Sequence, residues 1–278
     1  PLSASLCLSM IANGASGNTL SEMTDVLGFS GYSLEEMNNY NKKLVEALLD
    51  LDNTTQLGIA NSIWIKKGFG VHDDFVSVNK KMYDAQVQEL DFASPKAPDI
   101  INGWCAGKTN NCIPKVLNEI PETARLYLLN AFYFKGIWKN QFKKSGTAEE
   151  AVTNADGSKA TVHMMNLRDE RFNYAENEYF SMAELPYGNE AFSMVVLLPA
   201  EGKSLDECLP QLNDERWGEW NSSLSSSALN LKLPRFEMEY DKELIDDMMA
   251  MGMQEAFTPS ADFSGMADED LFISLLQQ

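Results

Sequence analysis

The sequence is poor in the residues that carry out chemistry. Its 278 residues include only two histidines, His72 and His163, and neither stands at metal-ligand spacing from another His, Cys or carboxylate. His72 precedes Asp73-Asp74 at a helix start, and His163 alternates with Val162 and Met164 in a strand; both read as ordinary surface or sheet residues. The four cysteines, Cys7, Cys105, Cys112 and Cys208, contain no CxxC and are too few for a disulfide scaffold. Cys105 and Cys112 could bridge only if Lys108-Thr109-Asn110-Asn111 turns back on itself. Free, small hydrophobes is the better reading, and Cys7, in an apolar helix, belongs with it.

Long apolar runs are missing as well. None approaches the roughly 18 to 20 residues of a membrane span, and Pro1-Leu2-Ser3 has neither a charged n-region nor a cleavage site. No G-x-S-x-G elbow, P-loop or G-x-G-x-x-G occurs. Paired acids such as Glu149-Glu150, Asp246-Asp247 and Asp268-Glu269-Asp270 diverge as neighbours on a helix or strand and read as solvated faces. No catalytic residue, metal or cofactor is expected, and an enzyme has no support.

Positive charge is in deficit. With 22 Lys+Arg against 41 Asp+Glu, the formal charge is −19. A surface of that sign repels phosphate backbones and anionic lipid, so nucleic acid, membranes and heparin-like polyanions are disfavoured as partners. Two sequons, Asn53-Thr54-Thr55 and Asn221-Ser222-Ser223, lie in polar stretches that read as exposed loops.

What is present is a globular chain, 44% hydrophobic and 10% aromatic, with enough length for a sizeable core. Helical spacing marks residues 1–17, 21–27 and 33–51, the last opened by a Ser33-x-x-Glu36 capping box. The period changes to two at Leu57, Ile59, Ile63 and Ile65, a strand closed by Lys67-Gly68-Phe69-Gly70. A helix capped by Asp73 and a short strand at 87–90 follow, then a helix with Ile100, Ile101, Trp104, Cys105 and Lys108. Residues 127–134 are almost wholly apolar and read as a strand buried on both faces, in which only Asn130 is out of place.

The second half is mostly strand. Asp156-Gly157 marks a hairpin turn of type I′ leading into 160–165, and 182–185 and 192–198 continue the pattern. The apolar parity flips at Pro234, from Leu229, Leu231 and Leu233 to Phe236, Met238 and Tyr240, and a bulge or bend there explains it. A helix over 241–252 and a terminal strand over 271–275 complete the chain. Helices dominate early and strands late without βαβ alternation, so the class is α+β in one domain.

These segments in combination resemble one family. The stretch from Pro1 to Thr19 (PLSASLCLSMIANGASGNT), Ala60-Asn-Ser-Ile-Trp64, Ile101-Asn-Gly-Trp104, Lys108 to Pro114, Leu129 to Trp138 (LNAFYFKGIW), Glu184-Leu-Pro-Tyr187, Leu233-Pro-Arg-Phe236, and Gly252-Met253 followed by Ala256 to Ser264 (AFTPSADFS) are similar, in order and spacing, to the serpins. The resemblance spans essentially the whole chain. It implies several helices around large mixed and antiparallel sheets, in a single domain over residues 1–278.

It also implies a suicide-substrate inhibitor of a serine or, less often, a cysteine protease, acting as a monomer. A bait loop is cleaved and inserts as a new strand, gaining a ladder that the uncleaved fold lacks. By the resemblance, residues 127–134 and 271–275 flank the insertion slot, and the helix around Trp104 lies across that sheet. Ser3, Asn130 and Gln278 match positions of the shutter, a polar cluster beneath the sheet, and Trp138 matches the tryptophan of the breach, where insertion begins.

Two departures from the family pattern qualify this. Gln278 stands where histidine is common; glutamine cannot titrate near neutral pH, so opening should lack a histidine-dependent step between pH 5 and 8. The chain also ends at Gln278, where the family continues into hinge, reactive loop and last strands, and begins without the usual first helix. The domain is therefore expected to be incomplete at both ends, with the reactive bond outside it. A non-inhibitory member acting as carrier, chaperone or storage protein is the alternative. An extracellular or cell-envelope location is implied by the family, although cytosolic members exist.

Overall fold

A computed structural model describes residues 1–154 and 156–278. The chain divides into two compact units. One holds residues 1–50, 56–134 and 239–278, the other residues 51–55 and 135–238.

The first unit opens with α1 (Leu2–Ala12), α2 (Gly17–Val26) and α3 (Leu34–Asp50). Small residues let α1 sink fully: Leu6, Ser9, Met10 and Ala12 are inaccessible to solvent. The Ser33–Glu36 box forms as its spacing predicts, with the Ser33 N–H on Glu36 Oε2 at 2.8 Å and the Glu36 N–H on Ser33 Oγ at 3.3 Å. Then come β1 (Gln56–Lys66), α4 (Asp73–Tyr83), β2 (Gln86–Leu90), α5 (Ala97–Lys108) and β3 (Leu126–Lys135). The N-cap of α4 is His72 rather than Asp73, which sits in the first turn where its charge suits the helix dipole.

Strands β2, β1 and β3 form a three-stranded sheet in that order. β1 and β2 pair in parallel, Ser62 opposite Gln86, across α4. This is a βαβ crossover that the strand count alone concealed. Nor is β3 buried on both faces: only Ala131 is buried, and Phe132 is 37% exposed. The reason is position, since β3 is the last strand of its sheet, and an end strand is covered less than a central one.

Helix α5 does lie against the sheet. Its Ala97 and Ile101 share a cluster with Trp64 of β1 and Leu90 of β2, joined by Tyr127 and Leu129 of β3, and Trp104 meets Trp64 edge-on at 6.4 Å. Asn102 pins the chain that follows: its Oδ1 accepts the Val116 and Leu117 N–H groups at 2.8 and 2.9 Å, and its Nδ2 donates to Leu117 O at 2.8 Å.

The second unit is built on a five-stranded sheet of β4 (Ala148–Thr153), β5 (Lys159–Glu176), β6 (Phe180–Pro186), β7 (Ser193–Pro199) and β8 (Ser225–Pro234). β5 is long enough to pair with β4, β6 and β8, all antiparallel. The hairpin expected at Asp156-Gly157 is present, closed by the pair Thr153 and Lys159 with Gly157 at φ 82°. The intervening Ala155, and with it the turn type, lies outside the described residues.

The irregularity expected at Pro234 is elsewhere. β5 and β8 shift register between Leu167 and Glu170, where Asp169 takes a left-handed φ of 54°. β8 simply ends at Pro234, and Phe236, Met238 and Tyr240 beyond it are 57%, 73% and 64% exposed. Two short helices interrupt the strands: α6 (Leu205–Cys208), with a Ser204–Glu207 capping box, and α7 (Asp214–Ser223), capped by Asn213. The second sequon is therefore helical, with Asn221 in the last turn of α7, while Asn53 is exposed in a turn.

The chain returns to the first unit through α8 (Ile245–Met251), ended by Gly252 at φ 114°. No terminal strand forms over 271–275. The Ile273 N–H bonds to Ala256 O at 2.9 Å, and Leu271, Ile273 and Leu276 pack on the core while Phe272 and Leu275 are each 49% exposed. All four cysteines are free.

Candidate functional site

β3 is the element on which the sequence-predicted residues converge. Ser3 lies in the first turn of α1 and donates from Oγ to the Asn130 main-chain carbonyl at 3.3 Å. One helical turn later, Cys7 Sγ meets the Leu128 carbonyl at 3.5 Å. The match is geometric: residues i and i+4 share a helix face, and residues two apart share a strand orientation.

The Asn130 side chain is anchored on the neighbouring strand. Its Nδ2 donates to Asn61 Oδ1 at 2.8 Å, and Asn61 Nδ2 donates in turn to the main-chain carbonyl of Tyr83 at 2.7 Å. Asn130 Oδ1 is buried without a hydrogen-bond partner, a costly condition for an amide oxygen. Asn61, 5% exposed, is the residue that sequence reading missed. Its signal was available, for an amide in the apolar run Ile59-Ala60-Asn61-Ser62-Ile63 breaks the pattern as Asn130 does.

Burial pushes the Cys7 thiol up to about 12 and dominates the rise of the Tyr83 phenol to about 12. Both stay protonated near neutrality, so the cluster offers hydrogen bonds rather than acid, base or nucleophile. Among the described residues, no three His, Cys, Asp or Glu side chains are placed to share a metal ion.

Gln278 does not join the pair made by Ser3 and Asn130. It is exposed, and its main chain exchanges hydrogen bonds with Lys242 at 2.8 and 3.0 Å, next to a bridge between Glu243 and Gln277. Trp138 belongs to the second unit. It is half-buried and stacked on Tyr187 at 4.3 Å and 16°, with Phe142 edge-on at 6.4 Å. The two aromatic residues also form a bridge between their backbones, and beside them Lys139 pairs with Glu190 at 2.5 Å.

A family model described as serpin (serine protease inhibitor) matches residues 1–278. The chain belongs to the serpin family. It is 30% identical over 99% of its length to chicken (Gallus gallus) neuroserpin, of which it covers 70%. To human (Homo sapiens) leukocyte elastase inhibitor it is 32% identical over 99% of its length, covering 75% of that protein. Among solved structures, the thermophilic serpin tengpin in its latent state superposes with a TM-score of 0.90 at 32% identity, covering all of this chain and 76% of that one. The α+β class is thus the serpin fold, and Asn61 and Asn130 are amides of a serpin sheet.

Proposed function

We propose that this serpin inhibits a serine protease, or less often a cysteine protease, by accepting its own cleaved reactive loop as a strand beside β3. The observation that carries the reading is the placement of β3 at the end of a three-stranded sheet. An end strand can extend its ladder, and a loop that adds there gains main-chain hydrogen bonds together with cross-strand contacts. That gain is withheld until cleavage, which makes the uncleaved state metastable.

In this reading Ser3 and Asn130 act as shutter residues. They hold a carbonyl and a side-chain amide of the receiving strand, and the buried Asn130 Oδ1 is an acceptor that a donor brought up during insertion could satisfy. Gln278 is assigned to a third shutter position by sequence, although its main chain is held by Lys242 apart from Ser3 and Asn130, and Trp138 to the breach, in a single domain that acts as a monomer outside the cell or at its envelope. A structure of native protease nexin-1 with heparin resembles this chain at a TM-score of 0.89 and 26% identity. The −19 charge favours a protein partner without such a polyanion.

The test is to mix the full-length protein with a panel of serine and cysteine proteases. A denaturant-resistant covalent complex, and a large rise in thermal stability after loop cleavage, are the expected results. Cleavage that yields neither would replace the inhibitor by a non-inhibitory serpin.

A further inference from the structure

Helices α1, α3 and α4 meet over side chains that helix interfaces seldom bury. Asn38 and Asn41 of α3 are each 3% exposed, Asn79 of α4 is inaccessible and Tyr83 at the end of α4 is 6% exposed. They are connected. The Tyr83 hydroxyl donates to Asn38 Oδ1 at 2.6 Å and accepts from Asn41 Nδ2 at 3.3 Å. Asn38 Nδ2 donates to Oδ1 of Asn13, the C-cap of α1, at 2.7 Å. Asn13 Nδ2 answers on Asn38 Oδ1 at 3.2 Å, and Asn79 Nδ2 reaches the Met10 carbonyl at 3.3 Å.

Tyr83 has a hand in both halves of this system. Its phenol is held by α3, while its main-chain carbonyl takes Asn61 Nδ2, and Asn61 holds Asn130 on β3. Apart from Ser9 Oγ and Asn130 Oδ1, which are buried without partners, these groups are held by the bonds just named, and a shift that strands a further amide is penalised. Leu271 and Ile273 share a core cluster with Leu126 and Leu128 of β3, so a strand entering between residues 271–275 and β3, about 4.8 Å wide, must part the two and shift β3 against the helices. The Asn61 bond to the Tyr83 carbonyl resists that movement.

We propose that Tyr83 is a positioning residue for strand addition: it fixes the carbonyl that holds Asn61, and so makes the set of the α3–α4 pair govern how readily β3 yields. The proposal rests on the strand-accepting role argued above. A perturbation of α3 that releases the Tyr83 hydroxyl would be felt at Asn130 without touching the sheet.

The experiment is hydrogen exchange of the β3 amides in the full-length protein, for wild type, Tyr83→Phe, Asn130→Ala and the double variant, with covalent trapping of protease followed on the same samples. Phe263→Leu, a core change outside the network, serves as a control for general loosening. Tyr83→Phe should speed exchange in β3 about fivefold beyond any change elsewhere in the sheet, the worth of one buried hydrogen bond. That excess should vanish in the Asn130→Ala background. Should Tyr83→Phe fail to fold, Asn41→Ala removes the longer bond to the same hydroxyl and should show the same dependence on Asn130.

Acceleration spread as evenly as in Phe263→Leu, or a β3 effect that survives Asn130→Ala, would overturn the proposal. Coupling without trapping by the wild type would retire the inhibitor reading and leave the Tyr83 link to β3 standing as a structural one. Trapping without coupling would remove Tyr83 alone.

Discussion

Gly265 donates its N–H to the carbonyl of Gly14 at 3.1 Å, so that the loop near the end of the first unit lies backbone to backbone on the turn after α1. A Cβ on Gly14 would stand 2.7 Å from Met266 Cβ, and one on Gly265 would stand 3.1 Å from Gly14 O. Neither obstacle is the far end of a flexible side chain. Gly14→Ala should therefore cost about 1 to 3 kcal/mol, as overpacking does. Urea unfolding measures it, with Gly70→Ala, where a Cβ meets open space, expected to stay near wild type.

Asn102 makes three hydrogen bonds to the main chain of Val116 and Leu117. Asn102→Ala leaves two N–H groups and a carbonyl to find water, and should cost about 2 to 4 kcal/mol at roughly 1 kcal/mol per bond. Limited proteolysis should then find its first new site between Cys112 and Ile120. An unchanged cleavage pattern would show that the loop has other holds.

How far the sequence reveals this arrangement depends on the range of the signal. The Ser33–Glu36 box and the alternation in β1 are local, and both elements form where their spacing puts them. Helix α6 carried a readable box too, Ser204 and Glu207, but four residues are too few for periodicity to show. The run at 271–275 has the alternation of a strand, with Leu271 and Ile273 on the core and Phe272 and Leu275 half exposed, yet its Ile273 N–H bonds to the Ala256 carbonyl outside any ladder. Ser3 and Asn130 could be nominated by family resemblance, whereas Tyr83 could not, because its partners Asn38, Asn41 and Asn61 are gathered by tertiary structure alone.

Glu22 of α2 accepts the Gln254 and Glu255 N–H groups at 2.8 and 2.7 Å, capping the short turn that starts at Glu255. The Glu255 N–H is the main cause that holds its carboxyl below the ordinary 4.5, outweighing the opposing effect of burial. A carboxyl depressed in the folded state stabilises the fold above its unfolded pKa, and that contribution is lost as pH falls below 4.5 and through the folded value. Glu22→Gln should thus lower Tm at pH 7 and converge on wild type once the pH falls below the folded-state value, as thermal melts from neutral to acid pH will reveal. A gap that does not narrow at any acid pH at which the fold persists would assign the effect to shape rather than charge.

Thiol labelling gives a simple check of the core. Cys112 is exposed, Cys105 and Cys208 are buried, and Cys7, half-buried, is held as a thiol by desolvation that lifts it to about 12. Attack on a reagent needs a thiolate. At pH 8 the native protein should therefore release one equivalent from a disulfide reagent quickly and the other three only on unfolding. Cys112→Ser should abolish the fast phase.

The grip of Glu22 on residues 254 and 255 spans 232 positions of sequence, and that of Thr19 on Glu255 spans 236. At a ribosomal pace of roughly 5 to 20 residues per second, α2 emerges about 10 to 50 s before the residues that complete it. Throughout that interval the cluster around Met23, which is fully buried in the finished fold, lacks the share that Met253, Ala256 and Phe263 supply. Production of this chain in a host should accordingly depend on chaperone capacity.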